Sequence, residues 1–264
     1  MEEIKKFLQD KKNDIGHGEQ GFSSLLMEKS MRCVEIPWVI LRVLKDKHEK
    51  VLDLSTTFFD RKYFKVFFES LILSTEDFYS IDIIPFNYKR FADFVETDLL
   101  KEKIKFQKAD ARNIPYPDNF FNQIMCISTI EHIGFDKVNL AGGRSSFDRS
   151  KDLPDFFPSL ETWTEDFKVM KEMIRVLKPG GKLLLTVPFG GEKIITEKDS
   201  LGLYALELRY DNKRLNKLLD FPNIKIEEKK IFVYDNNYGW NDGTSSDSIP
   251  QQLSVCCLEI KKTI

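Results

Sequence analysis

The sequence predicts an α/β domain: a mostly parallel β-sheet of seven strands covered by helices on both faces. Three observations carry this. Apolar runs of strand length alternate with amphipathic stretches of helical period. Acidic residues recur in or just after the first three strand-like runs, as in sheets that bind ligands beyond their carboxyl ends. The last two strand-like runs have only a polar loop between them, which suits an antiparallel hairpin on the sheet edge.

The elements follow in order. Residues 1–47 read as a helical lead-in or cap. Met31, Val34, Trp38, Leu41 and Leu44 recur at spacings of three and four, which makes one apolar helix face. Residues 48–264 hold the sheet. KVLDL (50–54) is a short buried strand with Asp53 inside it, and the Phe-rich stretch 60–73 has helical period. FYSIDII (78–84) is a second strand, stopped by Pro85. IKFQKA (104–109) is a third, followed by a turn-rich segment, and FNQIMCIS (121–128) is a fourth. Residues 134–160 are rich in Gly, Ser, Asp and Pro and read as a long insertion. Residues 164–177 have helical period, with Thr164 placed to cap and acidic residues in the first turn. Lys178-Pro179-Gly180-Gly181 is a helix stop and turn, and KLLLTV (182–187) is a fifth strand. A short helix over 211–219 and strands over 224–234 and 253–260 complete the chain.

Composition narrows the function. The chain has 264 residues, 42% hydrophobic and 31% charged, with 40 basic against 42 acidic side chains. The apolar fraction suffices for one large core. The net charge of −2 lacks the basic excess of a general nucleic-acid binder, so no nucleic-acid partner is expected. No apolar run is long enough to span a bilayer, and the charged start has no apolar signal region, so a cytoplasmic protein is expected. Cysteines stand at positions 33, 126, 256 and 257 without a CxxC spacing, which points to reduced, buried thiols and to no metal site. No glycine-rich turn follows the first strand, which argues against a nicotinamide-dinucleotide site or a P-loop there.

The run ADARNIPYPDNFFNQIMCISTIEHIG (109–134), together with MKEMIRVLKPGGKLLLTVPFG (170–190), resembles the class I S-adenosylmethionine-dependent methyltransferases. HEKVLDL and YSIDIIP fit the same pattern as its first two strands, and the matches keep their order over about residues 48–190. A softer likeness, in residues 32–54 and 208–240, is to methyltransferases of surface-glycan or small-metabolite pathways. The resemblance implies a Rossmann-like fold, S-adenosylmethionine as cofactor and methyl transfer as the activity. It also implies roles. Asp82 accepts from the ribose hydroxyls, with Ile83 beside it. Asp110 accepts from the adenine amino group, next to the Ala111 amide. Asp53 helps place the methionine end, and Ser128 and Thr129 line the floor near the methyl group. The sequence departs from the family in the loop after the first strand. That loop is Asp53-Leu54-Ser55-Thr56-Thr57, with no glycine. Ser55 and Thr56 are then expected to offer hydroxyls to the methionine end, while their Cβ atoms must be accommodated.

His132 is the candidate general base, since imidazole titrates near neutrality. Arg209, Tyr210, Tyr238 and Trp240 are candidates for a substrate wall, Arg209 gripping a phosphate or carboxylate. The expected acceptor is a small polar molecule: a sugar, an activated sugar or a glycan building block, methylated on oxygen. N-methylation of a small amine such as phosphoethanolamine is the alternative within the class. A catalytically inactive methyltransferase-like binding module is the rival outside it.

Overall fold

A computed structural model describes residues 1–11, 27–45, 49–55, 63–72, 75–134, 163–191, 193–198, 204–244 and 253–263. The expected insertion over 134–160 lies, past its first residue, outside the described residues, as does Thr56.

The main sheet has eight strands in the order β3-β2-β1-β4-β5-β10-β8-β9. β1 (Lys50–Leu54) pairs in parallel with β2 (Asp77–Asp82) on one side and β4 (Phe121–Ile127) on the other. β3 (Ile104–Lys108) lies parallel beyond β2, and β5 (Leu177–Pro188) parallel beyond β4. Strand order therefore reverses between β1 and β4. That reversal opens a crevice at their carboxyl ends, the position where such sheets take ligands. Nearly every residue of β4 is buried, as a central strand covered on both faces requires.

The far half of the sheet holds the expected antiparallel pair of C-terminal strands, but not at its edge. β10 (Ser254–Lys262) is not an edge strand. It lies between β5 and β8 (Ile224–Asp235) and is antiparallel to both. The edge belongs to β9 (Gly239–Asp242), an eighth strand of four residues, too short to show a period. A separate two-stranded ribbon, β6 (Lys193–Lys198) with β7 (Tyr204–Arg209), was also unforeseen. The KPGG turn is absorbed into β5, where the register with β4 shifts between Phe121 and Gln123. Gly180 sits there at φ +78°, and a Cβ on Gly181 would come within 2.8 Å of the Lys178 carbonyl oxygen.

Side chains alternate across the strands into two cores. On one face, Val51, Met125 and Leu184 pack against α1 (Glu2–Asp10), α2 (Arg32–Val43) and α3 (Phe64–Phe67). The lead-in helices thus belong to the main core. On the other face, Leu52, Ile124 and Leu185 meet α5 (Glu165–Val176) and α6 (Asn212–Leu218). α4 (Thr97–Lys103) buries Leu100 against the first core. The single helix expected over 60–73 is instead α3 followed by a π-helical turn, Phe68–Ile72. Thr164 stands at the N-cap of α5 but its side chain makes no capping bond, whereas Asp211 caps α6 by accepting from the Arg214 amide at 2.7 Å. All four cysteines are buried, and none forms a disulfide among the described residues.

Candidate active site

The site is assembled at the carboxyl ends of β1, β2, β3 and β4. Asp53, one residue from the end of β1, is fully buried. Its Oδ2 receives a long bond from the Ser80 hydroxyl (3.5 Å), and its Oδ1 has no hydrogen-bond partner among the described residues. Burial, and then the charge of Asp82, push the Asp53 carboxyl well above the ordinary carboxylate range, only partly offset by Ser80. An orphaned carboxylate oxygen in a dry core is costly, so a donor from outside the protein would relieve it.

Ser55, first in the loop after β1, adopts φ +67°. The backbone thus takes the left-handed turn that glycine would ease, and the serine bears the cost. Two bonds hold it there: its amide donates to the Ile81 carbonyl at 2.8 Å, and its hydroxyl lies 2.7 Å from the Thr129 hydroxyl. The missing glycine has therefore not abolished the turn.

Asp82 closes β2, and its Oδ1 accepts from the Ile84 amide at 2.9 Å. Ile83 and Ile84 follow as exposed apolar side chains. Asp110 and Ala111 follow β3. Asp110 is engaged by Arg112, whose Nη2 and Nε donate to it at 2.7 and 3.0 Å and whose amide donates at 2.8 Å. Those side-chain bonds hold the Asp110 carboxyl below its ordinary range. Arg112 also bonds Glu165 of α5 at 2.8 Å. Farther along α5, Glu172 accepts from the Ile114 amide, while Arg175 donates to the Ile114 and Tyr116 carbonyls, each at 2.9 Å. α5 thus fixes the path of the 110–118 loop. The sequence reading missed Arg112, Glu172 and Arg175, because a helix face and a loop far apart in sequence give no local signal of contact.

Ser128 and Thr129 follow β4, Ser128 at φ +39°. The Ser128 amide donates to both the Thr186 carbonyl and the Thr186 hydroxyl at 3.1 Å. The Thr129 hydroxyl bonds the Ile127 carbonyl at 2.9 Å. A short 3-10 turn, Ile130–His132, comes next. His132 is about two-fifths exposed, and its Nε2 lies 3.9 Å from Oε1 of the fully buried Glu131. Beneath this end of the sheet lies an unforeseen carboxylate, Glu35 of α2. It is fully buried, accepts from the Ser128 hydroxyl and from the Thr186 hydroxyl (2.7 Å), and pairs with Arg32 at 2.8 Å.

The four substrate-wall residues are not brought together. Tyr210 is fully buried in the second core, and its hydroxyl lies 3.2 Å from Asp166. That carboxylate forms a buried pair with Arg214. Trp240 is buried on the edge strand β9, where its indole N–H donates to the Glu28 carbonyl at 3.0 Å. Both rings fill the core rather than line an open surface, because each has its polar atom satisfied inside the protein. Tyr238 is largely exposed in the turn before β9. Arg209 is 5% exposed at the end of β7, the strand that packs against the Ile130–His132 turn.

A family model for a methyltransferase domain matches residues 64–141. No curated protein matches the sequence. A solved S-adenosylmethionine-dependent methyltransferase from Methanosarcina mazei is similar at 15% identity and TM-score 0.53, over 86% of this chain and 97% of that one. The cyclase SpnF is similar at 15% identity and TM-score 0.53, over 87% and 80%. A 1,6-didemethyltoxoflavin-N1-methyltransferase from Burkholderia thailandensis, solved with bound 1,6-didemethyltoxoflavin and S-adenosylhomocysteine, is similar at 11% identity and TM-score 0.51, over 99% and 88%. Residues 64–141 thus match a methyltransferase domain, and the chain shares the fold of solved S-adenosylmethionine-dependent methyltransferases. The residues fit that cofactor on two observations: the Asp53 oxygen with no hydrogen-bond partner among the described residues, and the left-handed turn at Ser55 two residues on.

Proposed function

We propose that the chain transfers a methyl group from S-adenosylmethionine to a hydroxyl of a small polar acceptor. A sugar, an activated sugar or a glycan building block fits best, met in the cytoplasm. The observation that carries this is His132, an accessible imidazole just past β4 with buried Glu131 behind it. When bound, the cofactor supplies a methyl carbon already activated by a sulfonium, so the protein's tasks are placement and one proton. Asp82 and Ile83 would hold the nucleoside, Asp110 and Ala111 the base, and Asp53 and Ser55 the amino-acid end. Ser128 and Thr129, fixed by Thr186 and Ser55, would form the floor near the reacting atoms. His132 would take the proton that the acceptor hydroxyl gives up. Arg209 ends β7, the strand that packs against that turn, and would favour an acceptor bearing a phosphate or carboxylate.

A panel of sugars, sugar nucleotides and amino-phosphates, assayed for S-adenosylhomocysteine release, tests the reading. Turnover is expected with a hydroxyl acceptor. His132→Ala is expected to lower kcat roughly 100-fold with cofactor affinity unchanged. Turnover on amines alone, or unchanged kcat in His132→Ala, would overturn it.

A further inference from the structure

The lead-in helix α2 places a charged pair at the same end of the sheet. Glu35 is fully buried, and Arg32, at the first position of α2, is partly exposed. Neither position is explained by the helix itself. A cation in the first turn opposes the helix dipole, and a carboxylate in the core costs free energy unless bonded. Glu35 is bonded three ways: to the Ser128 hydroxyl, to the Thr186 hydroxyl and to Arg32. Ser128 leads directly to Thr129, and Thr129 to Ser55 by the 2.7 Å hydroxyl contact. Polar contacts and the one peptide link between Ser128 and Thr129 thus connect the loop after β1, past the end of β4, to the Arg32 guanidinium. The first member, Ser55, sits two residues from Asp53, whose Oδ1 has no hydrogen-bond partner among the described residues.

Resting on the methyltransferase reading, we infer that Arg32 grips the carboxylate of the cofactor's amino-acid end, with Glu35 as the positioning residue that aims it. An amino-acid end carries one ammonium and one carboxylate. Asp53 offers the acceptor for the first, and Arg32 the planar fork that suits the second. The glycine-free loop gives the pair a purpose. With serine where the backbone turns, a guanidinium delivered from α2 supplies anion recognition from a second element.

The test compares two ligands by calorimetry: S-adenosylmethionine and its decarboxylated form, which lacks only that carboxylate. The parent protein is expected to prefer the carboxylated ligand by roughly tenfold or more. Arg32→Gln is expected to erase that preference by weakening S-adenosylmethionine alone, and Arg32→Lys to restore part of it. Glu35→Gln is expected to shrink the preference while the decarboxylated ligand binds as before. Equal weakening of both ligands in Arg32→Gln, or an unchanged preference, would overturn the inference and leave the methyltransferase reading standing. Binding of neither ligand to the folded parent would overturn both.

Discussion

Replacing Asp166 with Asn should be the most damaging single-atom-scale change in the second core. Asp166 is fully buried and Arg214 only 4% exposed. The carboxylate receives Nη2 at 2.9 and 3.0 Å, Nε at 3.1 Å and the Tyr210 hydroxyl at 3.2 Å. An amide keeps the shape but removes the charge, so a guanidinium stays in the core without the carboxylate it was built around. Breaking one side of such a pair costs about 3–5 kcal/mol, a large part of a stability of roughly 5–15 kcal/mol. At roughly 2–4 °C per kcal/mol for a chain of this size, the melting midpoint should fall by about 6–20 °C. Tyr210→Phe removes one bond and leaves the pair intact, so about 1–2 kcal/mol is expected. Circular-dichroism melts and urea titrations of the two variants measure both. A loss under about 1 kcal/mol for Asp166→Asn would refute the reasoning. So would a Tyr210→Phe that keeps its stability but loses acceptor binding, since that would return Tyr210 to the substrate wall.

Other outcomes follow from the same contacts. Asp53 has its carboxyl raised by burial and by Asp82, so its stabilising protonated form is fully present below about 3.8 and is lost as pH rises through the folded value. Asp53→Asn should therefore gain on the parent as pH rises, and a gap that is flat across a pH series of urea melts would contradict this. Glu3 has the opposite sign: burial raises it, but bonds to Arg42 and Lys230 outweigh that and bring it from 4.5 to about 2. Its contribution is complete above 4.5 and fades as pH falls towards 2, so Glu3→Gln should flatten the acid limb of the stability profile. At Ser55, φ +67° should make Gly nearly neutral and Val costly by about 2 kcal/mol, measured by thermal melts, and equal melting of the two would refute a left-handed turn there.

Much of the parallel half of the sheet was legible because its strands are short apolar runs punctuated by Pro, Gly and Asp. β1, β2, β3 and β4 lie within two residues of their expected bounds. The other half was less so. β9 has four residues, and the β6 and β7 segments mix charged with apolar residues, so neither offers a clean period. Within the site, strand-end carboxylates could be read, because an acid at the end of an apolar run needs a partner wherever it lies. Glu35 left a readable trace: it falls four residues after Met31 and three before Trp38, inside the apolar stripe of α2. Asp166 left a similar one, three and four residues before the buried Val169 and Met170. What each carboxylate bonds could not be read, since Ser128, Thr186 and Arg214 are brought to them only by the fold. Tyr210 and Trp240 failed as wall residues for the converse reason, since aromatic residues near a polar loop look alike whether they pack inward or outward.

The central claim is that this fold holds S-adenosylmethionine at the ends of β1 and β2. Calorimetric titration with S-adenosylhomocysteine tests it most directly, in the parent and in Asp82→Ala. Micromolar binding by the parent, weakened at least roughly tenfold in a folded Asp82→Ala, is the expected result. No heat at millimolar ligand from folded parent protein, or equal affinity in the two proteins, would contradict it.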